Sequence, residues 1–288
     1  MSVELKASPI IKKHLKTLRL RVNELKEKGV TPQLKVILVG QNPASVIYTE
    51  NKKKFCEKIG ASCEIIKLDE TISADDFVKK TAEIAADKNV HGCLIQLPLP
   101  RQLSQLNVGE LIPSEKDVDG FHSENLIALL KNQHSNTALP PCTPKGIMTL
   151  LDFYNVDVAG KNIVIIGRSL IVGKPLALML TNKNATVTLC HSATSNIEKH
   201  TQHADIIITA MGQAKFLKRA HLSDKGHQIV IDVGMNKWSN DETCGDVDFQ
   251  DVVQHVQAIT PVPGGVGKMT ILSLAQNLLQ AAENSLYL

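Results

Sequence analysis

Two successive series of short, β-branched apolar runs, each separated by longer amphipathic segments, pass through this 288-residue chain and restrict it to an α/β fold with parallel sheets. In the first series Leu34–Val39, Cys63–Leu68 and Val90–Leu97 alternate with helix-like segments over 44–59 and 73–88. In the second, Asn162–Ile166, Thr186–Cys190, Asp205–Thr209, Gln228–Val233 and Gln257–Ile259 read as strands, with helices expected near 172–183, 195–202 and 215–222. Between the series lie a loop-rich stretch over 98–122, the polar tract 132–137 and the segment Pro140-Pro141-Cys142-Thr143-Pro144, a plausible boundary. The length suits two domains. The expected division is 1–140 plus 270–288 and 141–269, with Thr270–Leu288 a helix that returns to the first domain.

Composition narrows the function classes. A formal net charge of +3 and an aromatic content of 3% leave neither the field nor the stacking surface of a nucleic-acid binder. The six cysteines are scattered, with no CxxC pair and no Cys/His cluster of zinc spacing, so reduced thiols and no metal are expected. The N-terminal stretch is charged and amphipathic, and no run approaches membrane-spanning length, which predicts a cytoplasmic protein without membrane contact.

The strand Asn162–Ile166 runs into Gly167-Arg168-Ser169-Leu170-Ile171-Val172-Gly173-Lys174-Pro175 and then an apolar helix. A strand, a glycine turn and a helix N-terminus suit a phosphate, because main-chain N–H groups and the helix dipole favour an anion there. The usual GxGxxG is incomplete, since only Gly167 and Gly173 are correctly spaced, with Ser169 between them. The next strand ends Cys190-His191-Ser192-Ala193-Thr194. No carboxylate stands there to repel a 2′-phosphate, while Ser192 can donate a hydrogen bond and Arg168 adds positive charge, so NADP is favoured over NAD.

A second set of polar groups lies in the first series. If Ala44–Ile59 is helical, Ser45, Tyr48 and Lys52 recur at i, i+3 and i+7 on one face. That spacing alone leaves Lys52 open between a solvated lysine and a functional amine, and Lys53 and Lys54 read as solvated. Gln96 ends an apolar strand before the alternating prolines of Leu97-Pro98-Leu99-Pro100. In Lys116-Asp117-Val118-Asp119-Gly120-Phe121, Asp117 reads as a turn residue, whereas Asp119 also suits the paired hydrogen bonds of an amino-pyrimidine edge. Near the C-terminus, Thr260-Pro261-Val262-Pro263-Gly264-Gly265-Val266-Gly267 combines a stiff segment with glycines that let a planar ligand approach the main chain, marking Pro263, Gly264 and Gly265 as candidate ligand contacts.

Taken in order, the Ser45/Tyr48/Lys52 segment, QLPLP, KDVDGF, PCTP, GRSxxVGxP, the CHS strand end, DVG and PVPGGVG resemble the bifunctional methylenetetrahydrofolate dehydrogenase/cyclohydrolase (FolD) family across nearly the full chain. The resemblance implies two parallel-sheet α/β domains flanking a cleft, the second a Rossmann-like NADP-binding domain, and a homodimer. It implies that Tyr48, Lys52 and Gln96 surround the reacting folate carbon, that Asp119 holds the pterin, and that Gly167, Arg168, Ser169, Val172, Gly173, Ser192 and Met235 serve the cofactor. The implied reactions are oxidation of 5,10-methylenetetrahydrofolate with NADP and hydrolysis of the methenyl product to 10-formyltetrahydrofolate, the folates being single or polyglutamylated. Lys52 is the candidate to activate water or relay protons, with Gln96 orienting its amine and Tyr48 positioning folate and water. Four positions depart from the family pattern: Lys268 for proline, Ala193 for a basic residue, Gln102 for histidine and Asp87 for asparagine. A dehydrogenase for another small substrate would leave Tyr48, Lys52 and Gln96 unexplained. A nucleotide sensor without turnover would leave every catalytic candidate idle.

Overall fold

The computed structural model describes residues 2–132, 138–237 and 242–287, so most of the polar tract 132–137 lies outside the described residues. The chain forms two compact units: one holds Met1–Lys12 and Thr143–Thr270, the other Lys13–Cys142 and Ile271–Leu288. The first twelve residues belong with the later unit because strand β1 (Val3–Glu4) pairs there in parallel with β11 (Ala258–Ile259).

Helix α1 (Ala7–Glu27) leads to the three-stranded unit, where β2 (Gln33–Val39) lies between β3 (Ser62–Leu68) and β4 (Gly92–Ile95), all parallel. Parallel pairing requires crossovers, supplied by α2 (Pro43–Ile59) and α3 (Ala74–Ala86). Ile37, Val39, Ile95 and Phe77 form one buried cluster. Strand β4 stops short of the expected Leu97: Gln96 N–H still donates to Ile37 O at 2.9 Å, but Pro98 has no N–H to extend the ladder. Helix α4 (Ser123–Leu130) and the start of α5 (Cys142–Phe153) follow.

In the other unit six parallel strands take the order β1-β11-β8-β7-β5-β6, with β5 (Asn162–Ile166), β6 (Thr186–Cys190), β7 (Ile206–Thr209) and β8 (Ile229–Asp232). From β5 the chain goes outward to β6 through α6 (Gly173–Asn182) and then crosses back through α7 (Ile197–Thr201) to β7 on the other flank of β5. The direction of winding therefore reverses at the carboxyl ends of β5 and β7, where open α/β sheets bind ligands. A short antiparallel ribbon, β9 (Asn236–Lys237) with β10 (Thr243–Cys244), and helix α8 (Phe249–Val252) complete the unit.

Two expectations need correction. The segment 215–222 is not an α-helix: Lys215 adopts φ +53°, Leu217 bridges Val247 as a strand would, and only Arg219–His221 makes a 3-10 turn. The last helix, α9 (Val266–Asn284), begins four residues earlier than Thr270, taking in Gly267 and Lys268. Its C-terminal part packs beside α1, where Arg21 makes two 2.8 Å hydrogen bonds to the Glu283 carboxylate.

Candidate active site

Asn42 starts α2 by accepting the Ser45 N–H at 3.1 Å, and Pro43 fits the first turn, where its missing N–H costs nothing. Helical period then gives a buried stripe of Ser45, Thr49, Lys52, Cys56 and Ile59, with Tyr48 half-buried beside it. Lys52 is only 3% exposed. Its Nζ donates to Gln96 Oε1 at 3.1 Å and lies 4.9 Å from the Tyr48 ring centroid. Gln96 Nε2 donates to Leu97 O at 2.7 Å, which turns the amide oxygen toward the amine. Among the described residues Lys52 has no carboxylate partner. Burying an amine without a counter-ion costs several kcal/mol by order of magnitude, only partly offset by an amide oxygen and a ring face. A group kept at such cost is a functional candidate.

The two carboxylates of the KDVDG turn have opposite environments. Asp117 is buried and accepts the N–H groups of Gly120 at 3.1 Å and His122 at 2.7 Å, while burial pushes its carboxyl up to about 6. Asp119 is half-buried, and its carboxylate has no hydrogen-bond or ion-pair partner among the described residues. It rims a depression with Ile95 and Leu97, the neighbours of Gln96, and with Phe121. Asn277 on α9 holds this turn from behind, its Nδ2 donating to Val118 O at 2.9 Å and Pro140 O at 2.8 Å.

In the β5–α6 turn, Gly167 has φ +125°, and a Cβ on Gly173 would lie 1.9 Å from Gly167 O, so the turn closes only with glycine at both ends. Ser169 Oγ accepts the Val172 N–H at 3.1 Å, and Val172 caps α6. The N–H groups of Arg168, Ser169, Leu170 and Ile171 have no acceptor among the described residues, leaving a cradle fit for phosphate oxygens. Both Arg168 and Ser192 are exposed side chains without a partner among the described residues. The β5 and β6 ends that carry them are joined by Gly167 N–H donating to Cys190 O at 2.9 Å. Met235 is 60% exposed, and a Cβ on Gly267 would stand 3.1 Å from its Cε. In the PVPGG segment, Pro263 is exposed, Gly264 has φ +119° with its carbonyl accepting Ala7 N–H at 3.0 Å, and Gly265 packs against Pro261 O.

Sequence reasoning took Asp232 only as the start of the DVG landmark and did not single out Asp246, two buried carboxylates of this unit. Asp232 is 3% exposed and raised to about 6 by burial, and Asp246 is fully buried. The available signal was the pairing of each with glycine, Asp232-Val233-Gly234 and Gly245-Asp246, as in Asp119-Gly120.

Comparison with known proteins agrees over both units. The catalytic domain of tetrahydrofolate dehydrogenase/cyclohydrolase matches residues 5–119, and the NAD(P)-binding domain of the same family matches residues 141–286. The bifunctional protein FolD of Dechloromonas aromatica is 48% identical over 265 residues, 92% of each chain. A crystal structure of the bifunctional enzyme FolD from Campylobacter jejuni superposes with a TM-score of 0.94 at 41% identity, covering 99% of each chain. The Trypanosoma brucei enzyme, crystallised with NADP cofactor and inhibitor, gives a TM-score of 0.93 at 30% identity over 100% of this chain and 99% of that one. The chain belongs to the tetrahydrofolate dehydrogenase/cyclohydrolase family.

Proposed function

We propose that the chain oxidises 5,10-methylenetetrahydrofolate with NADP and hydrolyses the methenyl product to 10-formyltetrahydrofolate, both steps being reversible. The observation that carries this reading is the buried Lys52 amine, which among the described residues meets an amide oxygen and a tyrosine ring at hydrogen-bond and cation–π range. NADP, when bound, supplies the nicotinamide that accepts a hydride from the methylene carbon. The 167–173 turn offers its open N–H groups to the dinucleotide phosphates. Arg168 and Ser192 are the groups for the 2′-phosphate, and Met235 is a contact for the cofactor.

On the folate side Asp119 receives the amino-pyrimidine edge, which explains a carboxylate without partners among the described residues. Ser45, Pro263, Gly264 and Gly265 complete the substrate-binding set. Hydride loss leaves an amidinium whose charge is spread over two folate nitrogens. Water then adds to the methenyl carbon, Lys52 Nζ carries the proton that this water releases, and the ring opens as the bond from that carbon to N5 breaks and N5 takes a proton, leaving the formyl group on N10. Gln96 fixes the amine at 3.1 Å, and the Tyr48 ring limits its swing. Residues 13–142 and 271–288 are thus read as the folate-binding part, and 143–270 with the first twelve residues as the NADP-binding part.

The family supports a homodimer working in the cytoplasm on single or polyglutamylated folates. None of the six cysteines is in a disulfide, in keeping with a reducing compartment, and among the described residues no helix is long and apolar enough to cross a membrane. The test is spectrophotometric: the purified chain should reduce NADP when given methylenetetrahydrofolate and should hydrolyse added methenyltetrahydrofolate. Absence of either reaction refutes the bifunctional reading.

A further inference from the structure

The carboxyl ends of β7 and β8 lead into loops that turn inward onto one side chain. Asp246 Oδ2 accepts the N–H groups of Met211 at 2.8 Å and Gly212 at 3.1 Å. Its Oδ1 accepts Gln213 N–H at 2.9 Å and Asn236 Nδ2–H at 2.9 Å. Four donors on one fully buried carboxylate tie the loop after β7 to the segment around Met235.

Asp232 holds Asp246 in turn. Its carboxylate accepts Asp246 N–H at 2.9 Å, Val247 N–H at 3.0 Å, Gly234 N–H at 2.9 Å and the Thr209 hydroxyl at 3.2 Å. There is no slack around either group: a Cβ on Gly234 would lie 2.3 Å from Asp246 Oδ1, and one on Gly245 would lie 1.7 Å from Asp232 Oδ2. No lysine or arginine among the described residues pairs with either carboxylate, so neutral N–H and hydroxyl dipoles carry their solvation. This is an expensive way to stabilise a loop and an effective way to fix its shape.

We propose that Asp246, seated by Asp232, is a positioning residue for the dinucleotide, fixing the 210–213 and 234–236 loops beside the β5 turn where the cofactor's reactive end is to be aligned. The inference rests on the nucleotide reading of the 167–173 turn. Residue 167 ties the two regions together, since an added Cβ there would meet Ala210 O at 2.2 Å, and a shift of the 210–213 loop is felt at the turn itself. Asp246 touches no reacting atom in this account and acts through main-chain geometry.

The experiment uses the full chain and its two reactions. In Asp246→Asn the amide nitrogen faces N–H donors, the loops separate, and misalignment lowers dehydrogenase kcat/KM by roughly 10- to 100-fold with weaker NADP binding. Cyclohydrolase activity, measured on added methenyltetrahydrofolate without NADP, stays within about twofold, which general loss of folding would not allow. Asn236→Ala removes a single donor and lowers dehydrogenase kcat/KM by roughly threefold, with the fold intact. If Asp246→Asn fails to fold, Asn236→Ala decides alone. Wild-type dehydrogenase kinetics in either folded variant, or equal loss of both reactions in a folded Asp246→Asn, overturns the proposal. Failure of the wild-type chain to bind NADP would refute the nucleotide reading itself, a result distinguishable from the others.

Discussion

In the folate-binding part, Lys52, Tyr48 and Gln96 bring side-chain atoms together, whereas in the nucleotide-binding part the 167–173 turn offers main-chain N–H groups and turns its carboxylates Asp232 and Asp246 inward as acceptors. The difference follows from what each ligand requires. Water activation needs a proton carrier, most often a side chain, and a long buried amine on a helix is held to one direction by its neighbours. Phosphates need several donors at fixed spacing, which a glycine turn supplies without side chains. The first part is therefore expected to respond to changes of chemistry, and the second to changes of main-chain shape.

The largest expected effect on ligand binding sharpens that contrast. Gly173→Ala introduces a methyl 1.9 Å from a main-chain oxygen, so the turn must open. Overpacking of this kind stands at the upper end of about 1–3 kcal/mol, or roughly 100-fold in NADP affinity. An NADPH titration measures it, and cyclohydrolase activity of the same variant checks the fold. Unchanged affinity would mean that the turn is not the phosphate site.

Next comes Asp119→Ala, which removes a charge-assisted contact worth about 1.5–3 kcal/mol and raises KM for folate in both reactions while sparing NADP binding. Folate KM values equal to wild type would return Asp119 to the role of its neighbour Asp117, a carboxylate that serves the turn. Smallest is Arg168→Ala. An exposed guanidinium contributes modestly, so the preference for NADP over NAD narrows by roughly fivefold, read as the ratio of kcat/KM values. A wild-type chain that prefers NAD would contradict the assignment of both Arg168 and Ser192.

Much of this was legible in the residues because parallel strands advertise themselves as apolar runs. Asn162–Ile166 and Thr186–Cys190 have the bounds expected of them, and α2 differs by a single residue at its start. Elements held by distant partners were not legible. Val3–Glu4 is a two-residue strand defined only by β11, and Leu217 is extended because Val247, thirty residues on, pairs with it. Local periodicity carries no record of such pairings. The glycines of the PVPGG segment suggested a loop up to Thr270, yet Val266 already begins α9 because Gly267 and Lys268 continue its turn.

The site divides in the same way. Spacing put Ser45, Tyr48 and Lys52 on one helix, but the 3.1 Å bond from Lys52 to Gln96 joins residues 44 apart in sequence and required the sheet. Two of the unusual residues also find local partners: Asp87 pairs with Lys35 at 3.4 Å, and Gln102 donates to Glu70 O. Nothing in the structure explains Lys268.

The central claim is that the buried amine of Lys52 moves the proton in hydrolysis, and Lys52→Met tests it with little change of length. Starting from methylenetetrahydrofolate and NADP, the methenyl absorbance is followed beside NADPH formation in the folded variant. The account predicts that cyclohydrolase activity falls by at least about 100-fold, the lower end of the range for a lost general base, while NADP binding persists and any methenyltetrahydrofolate formed accumulates. Hydrolysis of added methenyltetrahydrofolate at the wild-type rate, after subtraction of the uncatalysed reaction, would contradict it.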